Sequence, residues 1–521
     1  MLKVKRALIS VSDKTGLLKL AKVLKSLKVE IISTGGTLKL LKQNGIEAVS
    51  VSEMTGFPEM MDGRVKTLHP KIHGGLLYLR SKKSHRDAAK KHRIKPIDLV
   101  VANLYPFQAA ARNAKTTLAA AIEHIDIGGP GMIRAGAKNY QSVGVVTDPA
   151  DYDMVIQELK SKKGKLNETT LEALAMKAFQ TTAAYDQAIA RYLRKKLLKS
   201  KDTLPPILDV TYVRHRELRY GENPHQRAAL YQRQDDEPRF LFQQLHGKEL
   251  SYNNILDLEA AVDIIREFKE TAVCVVKHNN PCGIAANPNL KAAAREAIEC
   301  DTQSAFGGIV GINRKLTSDA AAMVLQMLPF FEMIAAPAYT LDALRLLKGR
   351  KNLRIIQVPH LDHIGPYDLR FSKSGILLQD RDEPIYRHEK ELVARLRFVT
   401  KLKPTPQELK SLLFAWSCVK VVSSNAIVLV QGKRTIGFGC GQMSRVDSVR
   451  IACEKAGTLT RGSALASDGF FPMADNITLA HLHGIKSIIQ PGGSIRDQEV
   501  IDACNRYNIS MVMTGERHFR H

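Results

Sequence analysis

The chain has 521 residues, 44% of them hydrophobic, and a formal net charge of +25. That length supports two to four domains with buried cores, and no stretch approaches the ~18 uninterrupted apolar residues of a membrane span. All seven cysteines lie between Cys274 and Cys504, an odd number without a Cys-x-x-Cys pair, which suits reduced thiols in the cytosol better than a disulfide framework.

The amino-terminal residues 4–10 read as a first strand and not as a signal peptide. Residues 16–28 follow with Leu17, Ala21, Leu24 and Lys28 at helical spacing, widened by Leu20 and Leu27. Further strands are expected at 29–33, 47–51, 98–107 and 142–148, with a second helix after "STGGT" (33–37). Strands alternating with helices imply a parallel sheet covered on its faces, whose ligands sit at the carboxyl ends of the strands. Two of those ends, "SVSDKTG" (10–16) and "STGGT", are Ser/Thr/Gly/Lys loops entering helices. Backbone N–H groups there can hold a phosphate, and ordinary helix capping is the alternative. Neither loop is a Walker motif, and no Gly-x-Gly-x-x-Gly follows the first strand.

The basic clusters at 82–95 and 191–201 keep a nucleic-acid reading open. An aromatic content of 6% and a single tryptophan offer few stacking platforms. A positive field equally favours small acidic substrates.

In "GRVKTLHPKIHGG" (63–75), Arg64 and Lys66 alternate and would share a face of an extended segment. "NLYPF" (103–107) closes a strand. "IDIGGPGMIRAGAKN" (125–139) places Asp126 before a Gly-rich turn, with Arg134 and Lys138 four apart on a helix expected to start near Gly131. An acid, a tyrosine and several cations near the turns of one sheet suggest an anionic substrate that needs proton transfers. Farther on, an apolar run at 271–276 ends in "KHNNPCG" (277–283). Adjacent residues of a straight strand face opposite ways, so a turn at Asn279-Asn280-Pro281 is expected to bring Lys277 and His278 together.

These motifs closely resemble the bifunctional AICAR transformylase/IMP cyclohydrolase family of purine biosynthesis. The resemblance runs on through "LRYGENPHQ" (218–226), "SAFGG" (304–308), "GCGQMSR" (439–445), "SDGFFPMADN" (467–476), "IIQPGGSIRD" (488–497) and "TGERHFRH" (514–521). It covers essentially the whole chain in one order. It implies a formyl transfer from 10-formyltetrahydrofolate, as cosubstrate, to AICAR, and then dehydrative closure of the product to IMP. It implies an α/β fold, with a methylglyoxal-synthase-like parallel sheet over about 1–148 in a cyclohydrolase domain of residues 1–200. A transformylase domain at 201–521 would hold two tandem cytidine-deaminase-like α/β units. His215-Arg-Glu217 fits His-x-Glu, but Cys282 is followed by Gly-Ile-Ala and no Pro-Cys-x-x-Cys exists, so a deaminase zinc site is not expected. No prosthetic group, metal, membrane or nucleic acid is expected. A cytoplasmic homodimer with a transformylase site shared between subunits is.

By the same resemblance, His278 shuttles the proton of formyl transfer, which its ordinary pKa of ~6.5 suits. Lys277 stabilises the developing charge or protonates the leaving nitrogen. The remaining contacts at that site map onto Arg219, Tyr220, Asn253, Ser304, Phe306, Gly307, Asn425, Arg445, Phe470, Asp475, Asn476, Arg517 and His521. For ring closure, Ser10, Ser12, Lys14, Thr34, Gly36, Thr37, Arg64, Asn103 and Gly128 map onto substrate binding. Lys66, Tyr105, Asp126 and Lys138 surround the reacting groups. Tyr105 or Asp126 relays the amide proton, and the two lysines stabilise the oxyanion and help water leave; the residues alone do not divide these roles. The sequence departs from the family at Ser423, where lysine is common, at Gly131 and Gly136, where Ser and Ala are commoner, and at Glu516, where Met is typical. Each glycine costs helix propensity of about 1 kcal/mol. A chain that retains one activity, or a basic RNA-binding protein, are the alternatives.

Overall fold

A computed structural model describes the chain except residues 106, 108–110, 112–114, 198–203, 234–240, 363 and 384–388. It separates into two compact units, Met1–Asp209 and Val210–His521. The domain boundary expected at 200/201, and the last residues of the basic stretch 191–201, lie outside the described residues. No helix among the described residues is long and apolar enough to cross a membrane.

The first unit is built on five parallel strands: β1 (Arg6–Val11), β2 (Glu30–Ser33), β3 (Val49–Ser50), β4 (Leu99–Asn103) and β5 (Gly144–Val146). Their order is β3-β2-β1-β4-β5. Alternation along the strands sends successive side chains to opposite faces. Ala7, Ile9, Leu99 and Val101 pack under α1 (Leu17–Ser26) and α5 (Tyr152–Ser161). Leu8, Val100 and Ala102 face α3 (Pro70–Leu77), α4 (Gly128–Lys138) and α6 (Glu168–Leu197) on the other side. A further helix, α2 (Gly35–Gln43), follows β2.

Several bounds differ from the sequence expectation, and the strands expected at 98–107 and 142–148 shorten to Leu99–Asn103 and Gly144–Val146. Helix α1 ends at Ser26, because Lys28 takes a left-handed φ of 56°. The strand expected at 47–51 shrinks to two residues, because Ser50 and Glu53 form a capping box that starts a short helix at Val51. Helix α4 starts at Gly128 and not near Gly131. The Asp126 carboxylate accepts the Gly129 N–H at 2.9 Å, and Pro130 in the first turn has no N–H to satisfy.

The second unit carries one twelve-stranded sheet. In chain order its elements are β6 (Gln243–His246), α7 (Tyr252–Arg266), β7 (Ala272–Lys277), β8 (Asn280–Ala286), α8 (Leu290–Glu299), β9 (Ile309–Ile312), β10 (Met333–Ala336) and β11 (Arg354–Gln357). There follow β12 (Arg397–Phe398), α9 (Pro406–Val419), β13 (Ile427–Gln431), β14 (Arg434–Gly439), α10 (Arg445–Ala456), β15 (Ala464–Ser467), α11 (Asp475–Leu482), β16 (Ser487–Gln490), α12 (Asp497–Arg506) and β17 (Ser510–Met513). The spatial order is β6-β11-β10-β9-β7-β8-β14-β13-β15-β16-β17-β12. Each half has the same plan: an edge strand, a helix, an antiparallel hairpin, a helix, then three mutually parallel strands. The halves meet at a single β8–β14 pairing, Ala285 with Arg434.

Packing repeats with the topology. One face of the sheet has a continuous core in which α7 and α9, with Trp416, cover both halves. The other face has two separate cores, one under α8 and one under α10. A strand glycine lets each of those helices approach. A Cβ on Gly283 would lie 1.8 Å from the Ala297 carbonyl oxygen, and one on Gly437 would lie 2.3 Å from that of Ala452.

Candidate functional site

In the first unit the expected phosphate loops gather at the carboxyl ends of neighbouring strands. Ser10, on β1, shares a 3.0 Å hydroxyl contact with Thr34 at the end of β2. Thr37, in the first turn of α2, bonds both the N–H and the carbonyl of Val11. From the end of β4, the Asn103 amide accepts the Ser12 and Asp13 N–H groups at 2.6 and 2.9 Å and donates to the Asp13 carbonyl. Lys14 and Gly36 are exposed beside these turns. Thr34 is buried at the start of α2, yet its hydroxyl makes no capping bond to that helix. The backbone N–H groups at that helix start thus have no side-chain cap from Thr34.

Asp126 is half-buried in front of α4. Burial pushes its carboxyl above the ordinary range, against the pull of the Gly129 N–H and of Lys66. Its backbone N–H is held by the Tyr185 hydroxyl at 2.8 Å. An acid with a raised pKa beside a lysine is placed to hold and release a proton. Gly128 adjoins Thr67, whose hydroxyl oxygen lies 2.4 Å from where a Cβ would stand. Arg64 is exposed and ion-paired with Glu123. Tyr105 is exposed, two residues past β4. Lys138 is exposed at the far end of α4. At a rise of 1.5 Å per residue it stands about 15 Å from Gly128, so the structure brings Lys66 to Asp126 but not Lys138.

In the second unit the strand β7 ends on Lys277, which pairs with Asn280 of β8. The connecting turn is therefore His278-Asn279, not Asn279-Asn280-Pro281. Both residues are left-handed, with φ of 51° and 62°, as a two-residue type I′ hairpin demands. Pro281 lies inside β8, where the register slips next to Val276 and β14 does not pair; a proline fits a strand at such a bulge. The turn, and not a strand face, separates the directions of Lys277 and His278. Lys277 Nζ donates to the Phe306 carbonyl at 2.9 Å. This ties β7 to the loop that carries Ser304, Phe306 and Gly307. Gly307 is left-handed, and Phe306 contacts Phe330 with ring centroids 5.4 Å apart.

Lys277, His278 and Ser304 line a cavity of about 310 Å³ at the seam between the two halves. Its far wall carries Lys455 from α10, paired with Asp301 of the first half. Burial works to raise the Asp301 carboxyl, but the bonds from Lys455 and Ser304 outweigh it and hold the group below the usual range. Cys282, Cys300 and Cys440 complete the wall. Burial pushes each thiol up to about 12, so all three are neutral.

The remaining residues fall into two groups. Arg219 lies over Tyr220, and Asn253, on the first turn of α7, donates to the Glu222 carbonyl at 3.2 Å. Asn425, Arg445, Phe470, Arg517 and His521 meet beyond β13 and β15. The Asn425 amide donates to the Gln442 and Met443 carbonyls and accepts from Arg445 at 2.7 Å. Arg445 is itself buried and ion-paired with the fully buried Asp468, so it orients Asn425 more than it reaches solvent. The C-terminal segment is fastened here by Ser424, which exchanges bonds with the Arg520 backbone. That leaves Arg517 stacked over Phe519, with His521 beside it. Asn280 links this group to the hairpin by accepting the Ser423 N–H at 3.0 Å. Asp475 opens α11 and accepts from Asn476, whose buried Oδ1 has no partner among the described residues.

Sequence reasoning passed over Asp257, Asp301, Lys455 and Asp468. Asp468 sits inside the quoted "SDGFFPMADN", but nothing in that string reveals its pairing with Arg445. The other three had no local signal.

A family model described as AICARFT/IMPCHase bienzyme matches residues 136–455, and one described as MGS-like domain matches residues 16–131. The chain is similar to the bifunctional purine biosynthesis protein PurH of Acetivibrio thermocellus, at 48% identity over 99% of this chain and 100% of that protein. The proteins of the same name from Pelodictyon phaeoclathratiforme and Anoxybacillus flavithermus are 47% and 48% identical. Each alignment covers 99% of this chain, and 99% and 100% of the respective relative.

Proposed function

This chain belongs to the AICARFT/IMPCHase bienzyme family, and we propose that its two units divide the two reactions, ring closure in the first and formyl transfer in the second. It is a bifunctional AICAR transformylase and IMP cyclohydrolase of purine biosynthesis. A formyl group passes from 10-formyltetrahydrofolate to the 5-amino group of AICAR, and FAICAR then closes to IMP with loss of water.

For formyl transfer, the AICAR amine attacks the formyl carbon. His278 takes the amine proton and returns it to the departing folate nitrogen. Lys277 stabilises the negative charge that develops on the formyl oxygen. The observation that carries this reading is the hairpin tip itself, with an imidazole on a tight turn and an ammonium at the strand end, both at the mouth of one cavity. Arg219, Tyr220 and Asn253 on one side, and Asn425, oriented by Arg445, with Phe470, Asp475, Asn476, Arg517 and His521 on the other, hold the nucleotide and folate, with Ser304, Phe306 and Gly307 beside the lysine. For closure, the carboxamide nitrogen attacks the formyl carbon within one bound molecule, so positioning supplies much of the rate. Ser10, Ser12, Lys14, Thr34, Gly36, Thr37, Arg64, Asn103 and Gly128 hold the phosphate and sugar. Asp126 or Tyr105 relays the proton, and Lys66 faces the oxyanion, while Lys138, expected beside it, stands at the far end of α4.

The repeated plan of the second unit supports reading each half as a cytidine-deaminase-like α/β unit without the metal motif. The protein works in the cytoplasm as a homodimer with the transformylase site shared between subunits. Its seven free thiols suit a reducing compartment. The hairpin of Tyr367–Ser372 and Gly375–Asp380 exposes Phe371, Ile376 and Leu377, apolar surface of the kind a second copy covers.

The test is His278→Ala, assayed for both steps. General acid–base groups contribute ~10²–10⁴ in rate, so formyl transfer should fall by at least about 100-fold while closure of supplied FAICAR stays near the parent. A folded variant with transfer within roughly threefold of the parent, well below that range, removes His278 from the mechanism.

A further inference from the structure

The turn that presents His278 is an unfavourable one for its sequence. Two-residue hairpins with both central residues left-handed favour Asn-Gly or Gly-Gly, and here the pair is His-Asn. A histidine held at a φ of 51° needs something outside the turn to keep it there. That support comes from α7. Asp257 Oδ1 accepts the Asn279 backbone N–H at 2.7 Å. In the orientation its neighbours require, the Asn279 side-chain amide also donates to Asp257 Oδ1 and to the Leu256 carbonyl, each at 3.2 Å.

The platform under this carboxylate is firm. A capping box between Ser251 and Asn254 fixes the first turn of α7. Asn253 and Asp257 are four apart, so they share a face of that helix, and one helix face serves both the nucleotide contacts and the turn. Burial holds the Asp257 carboxyl above its ordinary range, against the smaller pull of the Asn279 N–H and of His278. The other ionisable groups around His278 are Lys277 on its own hairpin, Asp301 and Lys455 across the cavity, and the three thiols of its wall. The thiols are neutral, and Asp301 is taken up by Lys455. Asp257 is the carboxylate of this set left to face the imidazole.

We infer that Asp257 is a positioning residue for formyl transfer, clamping the His278-Asn279 turn through the Asn279 amide and setting its negative charge beside the imidazole. This rests on the reading of His278 as the proton shuttle.

The experiment compares Asp257→Ala, Asp257→Asn and His278→Ala in the full chain. Steady-state kcat and KM for formyl transfer are measured for AICAR and for the folate, with circular dichroism and thermal melting as the check on folding of the second unit. Loss of alignment costs on the order of 10- to 100-fold, so Asp257→Ala should lose that much kcat, with KM for AICAR and for the folate within about threefold. Asp257→Asn keeps an acceptor for the Asn279 N–H but no charge. It should lose less kcat than the alanine variant, because the Asn279 N–H still has its acceptor. If His278→Ala is impaired while Asp257→Ala keeps its kcat, the inference is overturned and the His278 reading stands. If His278→Ala is unimpaired, both fall. Should Asp257→Ala lose the parental circular dichroism or melting profile, it has misfolded, and the Asn variant decides.

Discussion

Asp126 carries two opposed demands in one carboxyl. Its raised pKa comes first from burial, which disfavours the ionised form in the folded chain. A group whose folded pKa lies above its unfolded value stabilises the protein when protonated and loses that stability as pH rises through the folded value. Asp126→Asn removes the desolvated charge and keeps an oxygen that can accept the Gly129 N–H. The variant should therefore unfold at a higher temperature than the parent at neutral pH, with the gap closing as pH falls below the ordinary carboxylate range. Ring closure should drop by ~10²–10⁴ if Asp126 is the relay. Thermal melts at several pH values, paired with FAICAR turnover, check both halves. A variant that closes FAICAR at the parental rate assigns the relay to another group, Tyr105 first. Arg445 and Asp468 pose the contrasting case of a buried ion pair. Such a pair adds little net stability but is costly to break on one side, and here it fixes the amide of Asn425.

At the scale of elements, the hairpins and the glycines opposite the helices do most to shape the second unit. Gly283 and Gly437 occupy matching strands and let α8 and α10 approach to the same effect. Forcing even a methyl group into such a contact typically costs ~1–3 kcal/mol, occasionally more. Gly283→Ala and Gly437→Ala should each lower the denaturation midpoint of the full chain by a comparable amount. A pair in which one is neutral and the other severe would show that the two helix seats are not equivalent, whatever the strand order says. The short capped elements of the first unit follow a different logic. Ser50 with Glu53, and Asp126 with Gly129, satisfy helix-start N–H groups. Those caps decide where strands stop and so where the loops of the site begin.

At the scale of the molecule, every residue mapped to ring closure lies in Met1–Asp209, and every residue mapped to formyl transfer lies in Val210–His521. The first unit has its own cores on both faces of its sheet. A fragment ending at Asp209 should fold and convert FAICAR to IMP while showing no formyl transfer. Circular dichroism and FAICAR turnover test this, and a folded fragment without turnover would contradict the division of labour. The net charge of +25 favours encounter with anionic substrates.

The sequence by itself determined the apolar runs that became strands, their parallel alternation with helices in the first unit, and the order of motifs that marks the family. Those signals are local, because strand alternation, capping residues and glycine-rich turns act within a few residues. It also placed Ser10, Thr34, Thr37 and Asn103 at strand ends, since a parallel sheet delivers its loops to one edge. Tertiary structure alone decided the rest. The turn at His278-Asn279 was hidden because Asn280 and Pro281 look like turn residues, and only the pairing with Lys277 and the slip at Val276 put them in a strand. The partners Asp257, Lys455 and Asp468 reach His278's turn, Asp301 and Arg445 across separations of 22, 154 and 23 residues. The twofold plan of the second unit lies in strand order and not in any string of residues. A hydrogen bond between distant segments exists only once the core has set their distance, and the buried apolar residues that set it carry no mark of which polar groups they will bring together.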